Sequence, residues 1–130
     1  MQDTNSDKHT FSDADKLKAL SIVNIFETSR PMGDAAACIV LDDGAGVSYG
    51  IAQFTHRSGS LLAVVDEYLA TGCAVGRDIL IEKRPLLFKK TRPAITKLAA
   101  DEQFRRALRA AAVAREMREA QAETAFRLYL

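Results

Sequence analysis

The amino-acid sequence predicts an α+β fold that is mainly α-helical, with helices arranged around one small β-hairpin. Apolar residues recur at helical spacing before residue 27, and a short β-branched run precedes a glycine-rich turn at residues 43–46. Residues 101–130 contain neither glycine nor proline, which favours helix. A length of 130 residues, with 48% hydrophobic residues, fits one domain or part of one whose core needs no disulfide bonds.

The first predicted element is a helix from Asp13 to Glu27, after a polar segment at residues 1–11 that we expect to be a disordered tail. Ser12 is a suitable N-cap, and the helix is stopped by a segment that contains Pro31 and Gly33. Its apolar residues recur every three positions, at Leu17, Leu20, Val23 and Phe26. The folded domain is therefore predicted to span residues 12–130.

The hairpin is predicted between residues 38 and 54. Cys38–Leu41 is a short β-branched run, and the sequence from Asp43 to Gly46 (D-G-A-G) is a strong turn signal. Val47–Phe54 follows the turn and in part predicts the returning strand.

Helices are predicted for the rest of the chain. One begins at a Ser60 cap and ends before Gly72, the next spans Arg77–Lys90, and a short one opens at Thr91 and Pro93. Asp101–Leu130 predicts one long helix. Near one of its faces lie Phe104, Leu108, Ala111, Ala112, Arg115 and Ala122, followed by Phe126 and Tyr129. This helix ends at Leu130 without a cap or polar tail, so we expect a fragment of a longer protein. The alternative is a natural C-terminal helix that docks on the core.

Composition and motifs exclude several classes of function. The formal net charge of +1 names no partner, and the two cysteines, Cys38 and Cys73, have no metal-ligand spacing. We find no P-loop, dinucleotide fingerprint, HExxH or GxSxG motif, and we expect neither a cofactor nor a metal. Arg105–Arg118 is rich in arginine, but glutamates interleave there without stacking aromatic residues, so nucleic-acid binding is not predicted. No signal peptide or membrane span is predicted either.

Two carboxyl groups form the candidate catalytic pair. Glu27 ends an apolar helix, and Asp43 lies sixteen residues later at the tip of the predicted hairpin. Glycoside hydrolysis needs one protonated carboxyl to protonate the leaving oxygen and one ionised carboxylate to activate water or attack the sugar. The apolar helix end favours the first state and the exposed turn favours the second. Asp42 competes with Asp43, and Asp43 is preferred because it opens the turn motif.

The sequence D-G-A-G-V-S-Y-G-I-A-Q-F, which runs from Asp43 to Phe54, carries a family resemblance. Together with I-V-N-I-F-E, which ends at Glu27, and the small residues at Ser58–Leu61, it resembles the family 46 chitosanases of the lysozyme-like superfamily. The resemblance implies a lysozyme-like fold with Glu27 as the general acid and Asp43 as the water-activating base. It also implies that Ser48 helps to hold the attacking water.

A second likeness overlaps the first. The run Ser48–Gln53 is also similar to the S-x-G-x-x-Q signature of goose-type lysozymes and lytic transglycosylases, which share the lysozyme-like fold. Tyr49, Gln53 and Arg57 are candidate substrate-binding residues, although packing is an equal alternative for Tyr49. His56 is expected at the surface or bracing a loop, because this chemistry does not need a histidine.

The sequence departs from the chitosanase pattern at three points. Ala45 stands between the two glycines, where the family often has a basic residue. The spacing from Glu27 to Asp43 is shorter than expected for the family, and the further helical lobe that follows the long helix in that family is not seen. The chain is therefore predicted to be the N-terminal part of such a domain, truncated before the second lobe.

The predicted function is an inverting glycoside hydrolase that acts on β-1,4-linked amino-sugar polymers, either peptidoglycan or chitosan. Ala45 and the more basic second half of the chain favour the cell-wall polymer. The alternative is a non-catalytic module that binds glycan or a partner chain, or a homodimer if these residues are the complete protein. We expect synthesis in the cytoplasm and action on the cell wall or an extracellular polymer after release.

Overall fold

The computed structural model describes residues 34–129, which form a small antiparallel sheet followed by five helices. The strands are β1 (Cys38–Leu41), β2 (Gly46–Tyr49) and β3 (Phe54–Thr55). The helices are α1 (Ser60–Ala70), α2 (Arg77–Phe88), α3 (Arg92–Ala99), α4 (Glu102–Ala111) and α5 (Arg115–Tyr129). The α+β, mainly helical prediction is confirmed. The predicted tail and the helix Asp13–Glu27 lie outside the described residues.

The sheet has the order β1-β2-β3, and both pairings are antiparallel. Cys38 pairs with Tyr49 and Leu41 with Gly46, so residues 42–45 form the predicted turn between β1 and β2. The chain reverses again after Tyr49 and adds the short β3, so the hairpin is extended by a third strand. Gly50, at φ 84°, makes this second reversal possible because such a backbone conformation is strained for residues with a side chain.

The core lies between the sheet and the helices. α1 packs against α5, α2 packs against α4, and α3 packs against β2. The largest fully buried side chains are Tyr49, Tyr68, Phe54, Phe104, Leu61, Leu80, Leu87, Leu98, Leu108 and Met117, with the polar His56 and Gln121 among them. These apolar contacts fix α3 against the sheet, and that contact shapes the pocket described below.

The single long helix predicted for Asp101–Leu130 is wrong, because α4 and α5 are separate helices. The break falls at residues 112–114, where the N–H of Ala114 donates to the carbonyl of Ala111 at 2.9 Å. The Arg118 guanidinium then donates to the carbonyl of Val113 at 3.0 Å. α4 packs on α2 while α5 packs on α1, so burial against two different helices overrides the high helix propensity of the segment.

The ends of the helices match the sequence signals in part. Thr91 caps α3 by accepting from the N–H of Ala94 at 3.4 Å, and Gly72 has φ 78° directly after Thr71, the C-cap of α1, as predicted. The predicted Ser60 cap is wrong, since Gly59 occupies the N-cap position. The Ser60 hydroxyl instead accepts a hydrogen bond from the N–H of Thr55 at 2.9 Å, which ties α1 to β3.

Candidate active site

Asp43 lies in the turn between β1 and β2, and its side chain is exposed. Its Oδ1 accepts a hydrogen bond from the N–H of Ala45 at 3.0 Å. A bond from an aspartate to the backbone two residues later restricts the rotation of the carboxylate without burying it. The antiparallel pairing of Leu41 with Gly46 holds both ends of the turn. The second carboxylate oxygen of Asp43 is thus presented to solvent from a rigid support.

A pocket of about 520 Å³ opens beside this turn, between the turn and α3. Asp42 and Asp43 both line it, because both lie in the turn and not on the preceding strand. The other described lining residues are Val40, Leu41, Gly44, Gly46, Arg57, Lys90, Arg92, Ile95, Thr96 and Ala99. Its volume is in the range typical of pockets that bind small molecules or parts of polymers.

Gly46 sets how closely α3 approaches the turn. A Cβ on this residue would lie 2.6 Å from Cγ2 of Ile95, and the residue has φ 83°. Glycine is therefore needed here both for its backbone conformation and for the close contact with α3. The second glycine of the D-G-A-G sequence thus helps to form the wall of the pocket.

Arg57 is brought to the same pocket by the main chain that follows β3. Its N–H donates to the carbonyl of Ala45 at 3.1 Å, directly across from the turn. Its guanidinium Nη1 lies 3.8 Å from the position that a Cβ on Gly44 would occupy. Of the predicted substrate-binding residues, Arg57 is the one that the structure places beside Asp43.

His56 braces the loop that carries Arg57. The side chain is fully buried, with Nε2 at 2.8 Å from the carbonyl oxygen of Lys89 and 3.1 Å from that of Leu86. Because both neighbours are carbonyl oxygens, Nε2 carries the hydrogen and donates it. The imidazole joins the segment after β3 to the end of α2, and the residues that follow each of these ends, Arg57 and Lys90, both line the pocket. The loop-bracing alternative for His56 agrees with this placement.

Tyr49 lies in the core and not in the pocket. It is fully buried, and its hydroxyl donates to the carbonyl of Leu108 at 2.6 Å. Burial is the main cause that raises the pKa of this phenol well above its ordinary value. This placement agrees with the packing alternative for Tyr49, and its substrate-binding role stays a prediction.

Ser48 and Gln53 do not line the pocket. Ser48 is buried in β2 between Ile39 of β1 and Thr55 of β3, with 2% of its surface exposed. Gln53 is exposed in the turn that precedes β3, in a left-handed conformation with φ 52°. Neither placement tests the proposed roles of Ser48 in holding water and of Gln53 in binding sugar, so both roles stay predictions.

Sequence reasoning missed two residues of the pocket, Lys90 and Arg92. Both line the pocket, Lys90 from the link between α2 and α3 and Arg92 from the first position of α3. The sequence does carry a signal for this basic site. The run K-K-T-R-P places basic residues on both sides of Thr91, the N-cap of α3, and α3 follows α2 closely. Only the packing of α3 on the sheet shows that this helix start faces Asp43.

Glu27, the predicted general acid, lies outside the described residues, so the structure gives no distance between the two carboxyl groups. Within residues 34–129, no group of three or more histidine, cysteine, aspartate or glutamate residues is placed to hold a metal ion. None of the helices in this range is long and apolar enough to cross a membrane.

Comparisons with known proteins bear on the fold. Neither a family model nor a curated protein sequence matches the chain. A solved structure of a glutamate-to-alanine mutant chitosanase from Bacillus subtilis MY002, complexed with 6 GlcN, is similar with a TM-score of 0.67 and 26% sequence identity. The match covers 92% of this chain and 48% of that one, so the chain spans about half the length of that chitosanase. The likeness confirms a lysozyme-like α+β fold.

Proposed function

We propose that this chain is the front part of a lysozyme-like glycoside hydrolase that cleaves β-1,4-linked amino-sugar polymers with inversion. The observation that carries the proposal is the placement of Asp43. Its carboxylate is oriented by the N–H of Ala45 and lies at a pocket of about 520 Å³. The surrounding fold is similar to that of a chitosanase solved with a glucosamine oligomer.

In the proposed reaction, Asp43 acts as the general base. It takes a proton from a water molecule whose oxygen attacks the anomeric carbon. The bond from that carbon to the leaving oxygen breaks, and Glu27 donates its proton to that oxygen. An inverting mechanism needs room for water between the two carboxyl groups, which corresponds to a separation of roughly 6.5–9.5 Å. This separation between Glu27 and Asp43 is part of the proposal.

Other residues would bind the polymer. The Arg57 guanidinium lies beside the turn and can donate hydrogen bonds to sugar hydroxyls on the side of the pocket that Asp43 faces. Ile95 and Leu41 supply apolar surface in the same pocket. Ser48 is retained as the residue that helps to hold the attacking water. Chitosan and peptidoglycan glycan are the two candidate polymers.

A second candidate function follows from the coverage of the solved chitosanase. The chain spans about half of that protein, so the activity of the whole chitosanase is not carried over to it. The same residues would then bind glycan, or a partner chain, without cleaving it. Release of reducing ends separates the two candidates, since a binding module produces none.

The test is hydrolysis of chitosan and of purified peptidoglycan by this chain, followed as reducing ends. Glu27→Gln and Asp43→Asn should each lower the rate by about 10²-fold or more, because each removes a proton-transfer group. Asp42→Asn is the matched control, since it removes a neighbouring charge in the same turn and should keep most of the rate. Equal losses in Asp42→Asn and Asp43→Asn would contradict the role of Asp43. Absence of cleavage by the folded chain would favour the binding module.

A further inference from the structure

Three cations line the same pocket as the acidic turn. Arg57 comes from the segment after β3, Lys90 from the link between α2 and α3, and Arg92 is the first residue of α3. All three side chains are exposed. Positive charge therefore reaches the pocket from two segments of the chain, at residue 57 and at residues 90–92.

These cations are not used in ion pairs within residues 34–129. Neighbouring basic residues on α2 are paired, since Lys83 lies 2.9 Å from Asp101 and Arg84 lies 2.6 Å from Asp66. By contrast, Arg57, Lys90 and Arg92 have no carboxylate of the described chain within ion-pair distance, even though Asp42 and Asp43 line the same pocket. The described lining thus holds three positive and two negative side chains.

Such an arrangement favours an anionic ligand group. Like charges that share a concave surface repel one another, and an anion between them relieves the repulsion. A guanidinium also matches the two oxygens of a carboxylate better than a single hydroxyl. A glucosamine polymer carries an ammonium group on each sugar and would be repelled from the same place.

Lys90 extends this basic surface beyond the pocket. It also lines a second concavity of about 380 Å³, together with Ser58, Gly59, Ser60, Ala63, Leu128 and Tyr129. The Lys90 ammonium lies 3.0 Å from the position that a Cβ on Gly59 would occupy, so it stands close to the backbone that lines the second concavity. A polymer that spans both concavities passes this ammonium.

Building on the proposed function, we infer that this pocket binds an amino sugar that carries a carboxylate. The substrate class is then a β-1,4-linked glycan with the chemistry of N-acetylmuramic acid, whose lactyl group bears a carboxylate, and not the polycationic chitosan. Arg57, Lys90 and Arg92 receive this carboxylate, while Asp43 remains directed at the water. The acidic and the basic side chains of the pocket thus serve different parts of one substrate.

The experiment measures the affinity of four hexasaccharides by calorimetry, with the Glu27→Gln chain used throughout to prevent turnover. The ligands are an alternating N-acetylglucosamine–N-acetylmuramic acid hexamer, the same hexamer with its lactyl carboxylates converted to methyl amides, the N-acetylglucosamine hexamer and the glucosamine hexamer. The muramic acid hexamer should bind about tenfold more tightly than its neutral amide, and this advantage should shrink as salt is raised. The glucosamine hexamer should bind most weakly.

Variants of the cations test their assignment. Lys90→Glu combined with Arg92→Glu should abolish the preference for the carboxylate over the amide. A glutamate at the first residue of α3 suits the helix N-terminus, so folding should be retained. Lys97→Glu is the matched control, since it reverses one exposed charge on the same helix outside the pocket and should keep the preference.

The outcomes separate this inference from the proposed function. Equal affinity for the carboxylate and amide hexamers, or tightest binding of the glucosamine hexamer, would overturn the inference and leave the hydrolase proposal standing. Loss of the preference in Lys97→Glu would also overturn it, because the effect would then be general charge. Failure of all four hexasaccharides to bind would remove both proposals.

Discussion

The phenolic oxygen of Tyr49 lies 2.6 Å from the carbonyl oxygen of Leu108, and both residues are fully buried. The two residues are 59 positions apart in sequence, and their hydrogen bond joins β2 to α4. β2 begins at the turn that holds Asp43, so this bond connects the support of the candidate base with the helical layer. Tyr49 therefore contributes to the site by fixing the sheet.

We expect Tyr49→Phe to lower the free energy of unfolding by about 1 kcal/mol, because it removes one buried hydrogen bond and keeps the ring. The Leu108 carbonyl still accepts from the N–H of Ala112 at 3.3 Å, so it is not left unpaired. Urea unfolding measures the change. Tyr129→Phe is the control, since Tyr129 is 54% exposed and should tolerate the loss of its hydroxyl. A Tyr49→Phe chain with unchanged stability but weakened sugar binding would favour the substrate-binding interpretation.

Gln121 on α5 holds the second chain reversal of the sheet. Its Oε1 accepts from the N–H of Ile51 at 3.0 Å, and its Nε2 donates to the carbonyl of Ala35 at 2.9 Å. The side chain is fully buried against Gly50, where a Cβ would lie 2.5 Å from Oε1. Gly50 is thus required for the contact with Gln121 as well as for its positive φ.

Gly50→Ala should lower the free energy of unfolding by at least about 2 kcal/mol, through left-handed strain and the clash. Gln121→Ala should cost about 2–4 kcal/mol, because it unpairs two backbone groups and leaves a cavity. The double variant should cost less than the sum, since the clash is gone. A double-mutant cycle in urea measures this coupling. The exposed Gln103→Ala is the control for a glutamine deletion, and additive losses would show that the clash is unimportant.

The sequence predicted those elements whose signals are local. The turn at Asp43, the strand Cys38–Leu41 and the Thr91 cap depend on residues within a few positions of one another, and the structure confirms them. The lysozyme-like fold followed from the resemblance carried by residues 43–54.

Distant contacts explain what the sequence did not show. The break at residues 112–114 has no glycine or proline and results from packing on two different helices. Sugar binding and packing stayed equal alternatives for Tyr49 because its partner Leu108 is far along the chain. Lys90 and Arg92 gain their place at the pocket only when α3 packs on β2. In each case tertiary packing decides between alternatives that local patterns leave equal.

Asp101 gives a prediction on pH. Burial opposes its ionisation, but hydrogen bonds from Lys83 and the N–H of Phe104 outweigh burial and hold the pKa below its ordinary value. The folded state therefore binds this proton less readily than the unfolded chain. The stabilisation is present above the ordinary carboxyl range, about pH 4, and is lost as the pH falls through the lowered folded value.

Asp101→Asn should therefore be less stable than wild type at pH 7, and the two should converge as the pH approaches about 3. Asparagine can still cap α4, so the difference reports the charge and not the cap. Urea unfolding between pH 3 and 7 provides the measurement. Lys83→Gln removes the other partner of this ion pair. It should likewise reduce the dependence of the free energy of unfolding on pH. An unchanged slope in both variants would contradict the assignment.

His56 gives a prediction that links folding to the pocket. Its side chain donates to the carbonyls of Leu86 and Lys89 at the C-terminal end of α2, and the next residue, Arg57, lines the pocket. His56→Ala should lower the free energy of unfolding by about 2–3 kcal/mol, since it removes the donor to the Lys89 carbonyl and leaves a cavity, while the Leu86 carbonyl still accepts from the N–H of Lys89 at 3.2 Å.

His56→Gln tests whether bracing is the whole role of His56. Its amide can donate from nearly the same place as Nε2, so it should recover much of the stability and of the sugar binding that His56→Ala loses. Stability from urea unfolding and hexasaccharide affinity from calorimetry should therefore rise together from alanine to glutamine to histidine. If hydrolysis is observed, its pH profile should keep the same shape in His56→Gln, because Asp43 and Glu27 are the proposed titrating pair. A glutamine variant that regains stability but loses hydrolysis by orders of magnitude would instead make the imidazole part of the reaction.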